Sequence, residues 1–354
     1  MDRNKIIDLW KLIFVICIFI GHLNNVALVG EKNPIIMRLG FLGVEFFFIV
    51  SGFLMFKKIE FANNSSSLNR LTFEFLKRKI EIFFPCYCSA YILGFVVYHI
   101  GSEFDFNALI RHFIMSIPCI MQLNMVGMDG YQVLAPTWFL SAMLISMLFL
   151  FPLYKKTFNK IDMIIAVFIV VFIYGYIFKN NGHLAIINPL GNSIIYSGVL
   201  RGIAGISLGG ICYKLCKLLK TSNLSKNGRI LISMLEVVGY IGSIVLMGIN
   251  YKVRLDFLIL ILITISIIIT FSKKSYTVKF EGYVPNAVGK LSMAIFLSDA
   301  VARKVIILLM PHSTRNDKII PSFIALFTIS IIILFSEKYI KMLVFKIKHK
   351  LFYI

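Results

Sequence analysis

Residues 11–22 read KLIFVICIFIGH: a lysine, ten residues without a charge, and a histidine. The middle is hydrophobic enough to leave water, yet an ammonium and an imidazole bracket it, so this one stretch bears on both the fold and the chemistry. Taken as residues 9–29, the run matches the ~20 apolar residues that a helix needs to cross a bilayer. It is not isolated. Of 354 residues 58% are hydrophobic and only 15% charged, and the mean hydropathy is +0.85, more apolar than one soluble core can hide. Comparable runs recur at 38–56, 77–100, 134–153, 161–178, 193–213, 229–249, 254–272, 287–309 and 319–336. Runs of that length separated by short polar loops form helices rather than barrel strands, because each helix satisfies its own backbone in lipid. The expected fold is therefore all-α: a polytopic integral membrane protein with about ten transmembrane helices, forming a single transmembrane domain over 1–354 with no separate soluble domain.

The charges orient this array. With the N-terminus inside, the N-terminal tail and residues 57–79, 155–160, 214–229, 273–290 and 337–354 are cytoplasmic and hold 26 of the 37 lysines and arginines. That asymmetry predicts both termini in the cytoplasm. No small-residue cleavage site follows the first run, which reads as a retained signal-anchor. Residues 108–126 (ALIRHFIMSIPCIMQLNMV) are interrupted by Arg111, His112 and Pro118. Counting them as a crossing would put the KKTFNK and KLCKLLK clusters outside, so they read as an external re-entrant or interfacial helix. Trp10 and Trp138 fall at expected interfaces. NNSSSLN at 63–69 and SNLSKNG at 222–228 read as flexible loops.

Several functions are disfavoured at this stage. A net charge of +20 could serve nucleic acid, but the cations sit in small clusters at the ends of apolar runs rather than on one face, so no nucleic-acid partner is expected. The six cysteines lie mostly in apolar runs without metal-ligand spacing, and no metal is expected. Phosphate-binding glycine loops and the GxSxG elbow are both missing from the sequence.

What remains informative is polar groups carried into the hydrocarbon, each costly unless it faces protein or water. Lys11 and His22 are eleven residues apart, so a helix turns three times plus about 20° and rises about 16 Å between them. They share a face, Lys11 at the cytoplasmic mouth and His22 toward the outer leaflet. A snorkelling cation and a packing histidine are the plain alternative. Glu45, in GFLGVEFFFIVSGFLMFKK, needs a partner or a proton. It either charges and orients His22 as an acid/base pair or makes a structural hydrogen bond. Lys77, Arg78 and Lys79 open the third run and suit a polyphosphate, although orientation alone also explains them. Arg201, in GVLRGIAGISLGG, shares a face with Gly205 and Gly209 and wants a carboxylate, a carbonyl array or a substrate anion.

With these residues in view the chain resembles the membrane acyltransferase 3 family, whose bacterial members O-acylate cell-surface glycans. The resemblance covers nearly the whole chain in order. It is carried by DLWKLIFVICIFIGH, by GVEFFFIVSGFLM, by FLKRKIEIFFPCY, by PTWFLSAMLI, by LRGIAGISLGG and by VGKLSMAIFLSDA. Lysine stands at position 11 where arginine is usual, Ile82 where the third run commonly has arginine, and Phe296 and Asp299 where tyrosine and histidine are typical.

The resemblance implies a ten-helix core in a bacterial plasma membrane that takes an acyl group from cytoplasmic acyl-CoA, acetyl-CoA above all. The acceptor is a hydroxyl of a cell-surface or exported polysaccharide, and polysaccharide biosynthesis proteins are possible partners. His22 would be the catalytic base or transient acyl carrier, with Glu45 as its partner. Lys11, Arg78 and Lys79 would hold the CoA phosphates, while Arg201, Trp138, Ser51 and Asp299 would face substrate or serve structure inside the membrane. Two other functions are weighed: a polysaccharide or small-molecule transporter without covalent chemistry, and an inactive acyltransferase-like scaffold.

Overall fold

The computed structural model describes residues 3–26, 40–62, 66–100, 105–128, 130–134, 137–159, 161–190, 194–248 and 255–352. Residues 27–29, 38–39, 135–136, 193, 249 and 254 of the expected runs, and 63–65 of the NNSSSLN loop, lie outside these. Among the described residues the regular structure is helical, apart from one isolated bridge between Pro189 and Tyr196. The helices are α1 (Lys5–His22), α2 (Gly43–Glu60), α3 (Leu68–His99), α4 (Phe106–Ile120), α5 (Thr137–Thr157), α6 (Asp162–Asn181), α7 (Ser197–Thr221), α8 (Lys226–Gly248), α9 (Asp256–Ser272), α10 (Val288–Leu309) and α11 (Arg315–Phe352).

Each expected run corresponds to one helix, but the ends differ. α3 starts at Leu68, α7 runs on to Thr221 and α11 to Phe352. Apolar content marks only the part of a helix that lipid can cover, whereas Lys, Arg and Glu continue the backbone spiral with little loss of propensity. α4 is a separate 15-residue helix with Pro118 inside it, about 22 Å long and so shorter than the hydrocarbon core.

Among the described residues, length and apolarity together mark seven helices as candidate membrane spans: α2, α3, α5, α6, α7, α8 and α11. An eighth follows if α9 is taken with the 3₁₀ turn at Tyr276–Tyr283, bent from it by 75°. The expected ten also include α1 and α10, which carry Lys5, Asp8 and Lys11 and, respectively, Lys290, Asp299, Arg303 and Lys304. The protein is thus a multi-pass membrane protein, all-helical among the described residues, in which α1 and α10 carry charges within the stretch that would have to cross lipid.

The chain forms two compact units. The first comprises Met1–Gly21, Ile35–Leu76 and Trp138–Gly289; the second comprises His22–Pro34, Lys77–Thr137 and Lys290–Ile354. In the first, α2 and α7 approach backbone to backbone. A Cβ on Gly52 would stand 2.1 Å from the Ile206 carbonyl oxygen, and one on Gly209 would stand 2.2 Å from that of Ile49. Small residues matter here because lipid supplies no hydrophobic drive and helices associate through close van der Waals contact. Stacked rings fill the spaces around that seam, Phe14 on Phe46 at 4.5 Å, Trp10 on Tyr240 at 4.1 Å and Phe53 on Phe271 at 3.8 Å between centroids.

In the second unit, helices are tied by hydroxyls that lipid could not satisfy. The fully buried Tyr87 donates to the Cys119 carbonyl at 3.1 Å, and Ser330 of α11 meets Ser298 of α10 at 3.0 Å. Lys318 is buried and donates to the Val26 carbonyl at 3.2 Å, fixing the start of α11 against the turn that follows α1.

Candidate active site

α1 is apolar for most of its length and ends on His22. Its imidazole belongs to the second unit, where Nδ1 lies 2.5 Å from Oδ2 of Asp299 on α10. One helical turn further, Arg303 donates through Nε to the other carboxylate oxygen, Oδ1, at 2.9 Å. Asp299 is 4% exposed, so its charge is desolvated and has these two groups as its polar partners among the described contacts. The arrangement decides the tautomer. A carboxylate can only accept, so Nδ1 carries the proton and a neutral ring keeps its lone pair on Nε2. The ring is not sealed, with 34% of the His22 side chain accessible. An oriented imidazole that keeps its Nε2 lone pair can act as a general base or a nucleophile.

Glu45 has different neighbours. Fully buried in the first unit, it accepts from Arg201 Nε at 2.7 Å on Oε1 and from the Tyr174 hydroxyl at 2.5 Å on Oε2. Arg201 also reaches the Ile186 and Phe41 carbonyls, each at 3.4 Å, and its guanidinium lies over the Trp138 ring at 5.3 Å. Both charges are matched and hydrogen-bonded, the condition under which a buried pair is tolerated. The carboxylate that the sequence offered to His22 is thus engaged by Arg201, and the one on His22 comes from α10. Ser51 donates to the Met143 sulfur at 3.5 Å.

The first unit also holds a cavity of about 840 Å³. Its wall brings Arg3 and Lys11 from the chain start, Lys57 from α2, Lys217 and Lys220 from α7, and Lys273 from the end of α9. Against these six cations stand two lining carboxylates, Asp8 and Glu60. Asp8 is already bracketed by Arg3 and by Lys11 at 3.0 Å, and Glu60 by Lys217 and the Tyr213 hydroxyl. The remainder of the wall is apolar, including Phe53, Leu54, Phe61 and Phe271. Excess positive charge with apolar walls suits an anionic head group carrying an apolar or extended tail. The cations of this cavity come from segments that charge asymmetry assigned to the cytoplasm.

Arg78 and Lys79 lie on the part of α3 that belongs to the second unit, the first exposed and the second half-buried. Sequence reasoning therefore found Lys11 of the basic cavity and His22 of the dyad. It missed Lys57, Lys217, Lys220 and Lys273 as one group, and left Asp299 without a partner. The Asp299–Arg303 spacing on an otherwise apolar helix was a legible signal of a charge pair; its link to His22 was not. A family model described as an acyltransferase domain matches residues 4–336. No curated protein and no solved structure matches this chain.

Proposed function

The chain belongs to the acyltransferase 3 family, which makes it a membrane acyltransferase, and from that premise we propose that it is an O-acetyltransferase of the bacterial plasma membrane. The donor is cytoplasmic acetyl-CoA and the acceptor a hydroxyl of a cell-surface or exported polysaccharide. The observation that carries this reading is the His22–Asp299–Arg303 chain, because it leaves the lone pair on Nε2 of a ring that is not sealed.

The chemistry needs one base and no further redox or metal step. Nε2 takes the proton from the acceptor hydroxyl as its oxygen attacks the thioester carbonyl, and the carbon–sulfur bond breaks on collapse of the tetrahedral adduct. The imidazolium then returns the proton to the leaving thiolate. Asp299 offsets the positive charge that His22 gains, as a carboxylate does for any triad-type histidine. Arg303 holds that carboxylate in place from the other side.

Donor binding is assigned to the basic cavity. Lys11 lines it together with Lys57, Lys217, Lys220 and Lys273, and these cations are assigned to the donor's phosphates. Arg78 and Lys79 remain the alternative candidates for holding the donor's phosphates. The position at which the family typically has histidine supplies, in Asp299, the carboxylate that orients His22, so this departure is compatible with activity rather than a mark of its loss.

The deciding experiment is the O-acetyl content of surface glycan, measured by NMR in cells whose only copy carries His22→Ala. Loss of acetylation with the protein still inserted is expected; unchanged acetylation removes the proposal.

A further inference from the structure

Within the second unit, α11 holds both halves of the His22–Asp299 pair through polar groups. α1 ends at His22, and the chain passes directly into the 3₁₀ turn Leu23–Val26. Two side chains three residues apart on α11 grip that turn. Arg315 donates through Nη1 to the Asn24 side-chain oxygen at 3.3 Å, and Lys318 donates through Nζ to the Val26 carbonyl at 3.2 Å. Further along the same helix, Ser330 meets Ser298 at 3.0 Å, and Ser298 is the chain neighbour of Asp299 on α10. One helix thus ties the segment that carries the imidazole to the segment that carries its carboxylate.

Lys318 is costly where it stands. It is buried, its only hydrogen-bond partner among the described residues is the Val26 carbonyl, and no described carboxylate pairs with it. Taking an ammonium out of water is expensive, and an apolar side chain of similar volume often serves stability as well or better. What the ammonium supplies and a methyl group lacks is direction. Its N–H fixes where the Val26 carbonyl stands, while Arg315 fixes Asn24, two positions from His22. A turn held at two points cannot roll, so the imidazole keeps its approach to Asp299. Such a contact depends on distance and angle, and a site without a supporting shell is easily about 1 Å too loose.

We propose that Lys318 is a positioning residue for acyl transfer, which by holding the turn after α1 keeps His22 against Asp299. The proposal rests on the O-acyltransferase reading and adds α11 to the helices that build the site.

The test follows acetyl transfer from labelled acetyl-CoA to the host's own surface glycan, in membranes carrying the full chain. Lys318→Met keeps the reach of the side chain and removes the donor, whereas Lys318→Arg keeps a donor. Lys318→Met is expected to lower kcat about tenfold to a hundredfold, the scale on which misplacing a reacting group acts. KM for acetyl-CoA and the thermal midpoint in detergent stay unchanged, and Lys318→Arg retains most of the rate. Because the effect passes through the dyad, Lys318→Met added to Asp299→Asn should cost little further rate. Unchanged kcat in Lys318→Met overturns the proposal. So does an equal loss in Lys318→Arg, a loss that persists in full in the Asp299→Asn background, or one that tracks a fallen midpoint. Wild-type membranes that transfer no acetyl group overturn the functional reading instead, a result distinct from any outcome at Lys318.

Discussion

Asp299 divides its two oxygens between His22 and Arg303, so replacing it with the isosteric amide removes the charge and lets either ring tautomer bind. Asp299→Asn is therefore expected to lower the acyl-transfer rate about 10²-fold or more while leaving the folded protein intact. Transfer rates in membranes and the thermal midpoint in detergent check the two halves of that statement. Glu45 answers to a different physics. Its carboxylate neutralises Arg201 in a site where neither charge reaches water, and removing one partner of such a pair strands the other at a cost of about 3–5 kcal/mol. Glu45→Ala should consequently lower the thermal midpoint sharply, whereas His22→Ala should not. Equal stability in the two variants would show that the Arg201 pair is dispensable.

Helix contact in the first unit depends on where a side chain would have to go. At Gly209 of α7 a methyl group would meet the backbone of α2 at Ile49, Gly52 and Phe53, and backbone cannot step aside. Gly209→Ala is expected to destabilise by about 1–3 kcal/mol, the usual cost of overpacking. Gly175 of α6 provides the contrast, since nothing lies within 4 Å of an added Cβ and alanine is the better helix former by roughly 1 kcal/mol. Gly175→Ala should leave the midpoint level or raise it. Detergent melting curves of the two variants side by side decide whether tight contact or intrinsic propensity governs these helices. Elements also differ in what they can carry: α1 and α10 hold enough charge to fail as plain lipid-facing spans, and they supply His22, Asp299 and Arg303.

Across the whole molecule the positive charge is not spread evenly. Four stretches far apart in sequence deliver six cations to one cavity with only two opposing carboxylates, an arrangement that repels itself unless an anion enters. Lys57→Ala combined with Lys220→Ala should weaken CoA binding by about tenfold or more, and raising the ionic strength should weaken binding to the wild type in the same direction. A titration in which affinity responds to neither change would place the donor's phosphates elsewhere, with Arg78 and Lys79 the next residues to remove.

The order of amino acids was enough for the class of fold and the inventory of parts. Apolar runs of membrane length must be helices because lipid offers backbone groups no other partner, and that constraint acts locally, within each run. The exceptional residues were equally visible, since Lys11, His22, Glu45, Arg201 and Asp299 stand out against their apolar neighbours. Which of them meet depends on how the helices pack. His22 and Asp299 are 277 positions apart, and Glu45 and Arg201 are 156 apart; no periodicity links such positions. Two carboxylates were available to one imidazole, and the choice between them followed from helix packing, which buried Glu45 with Arg201 and turned Asp299 toward His22.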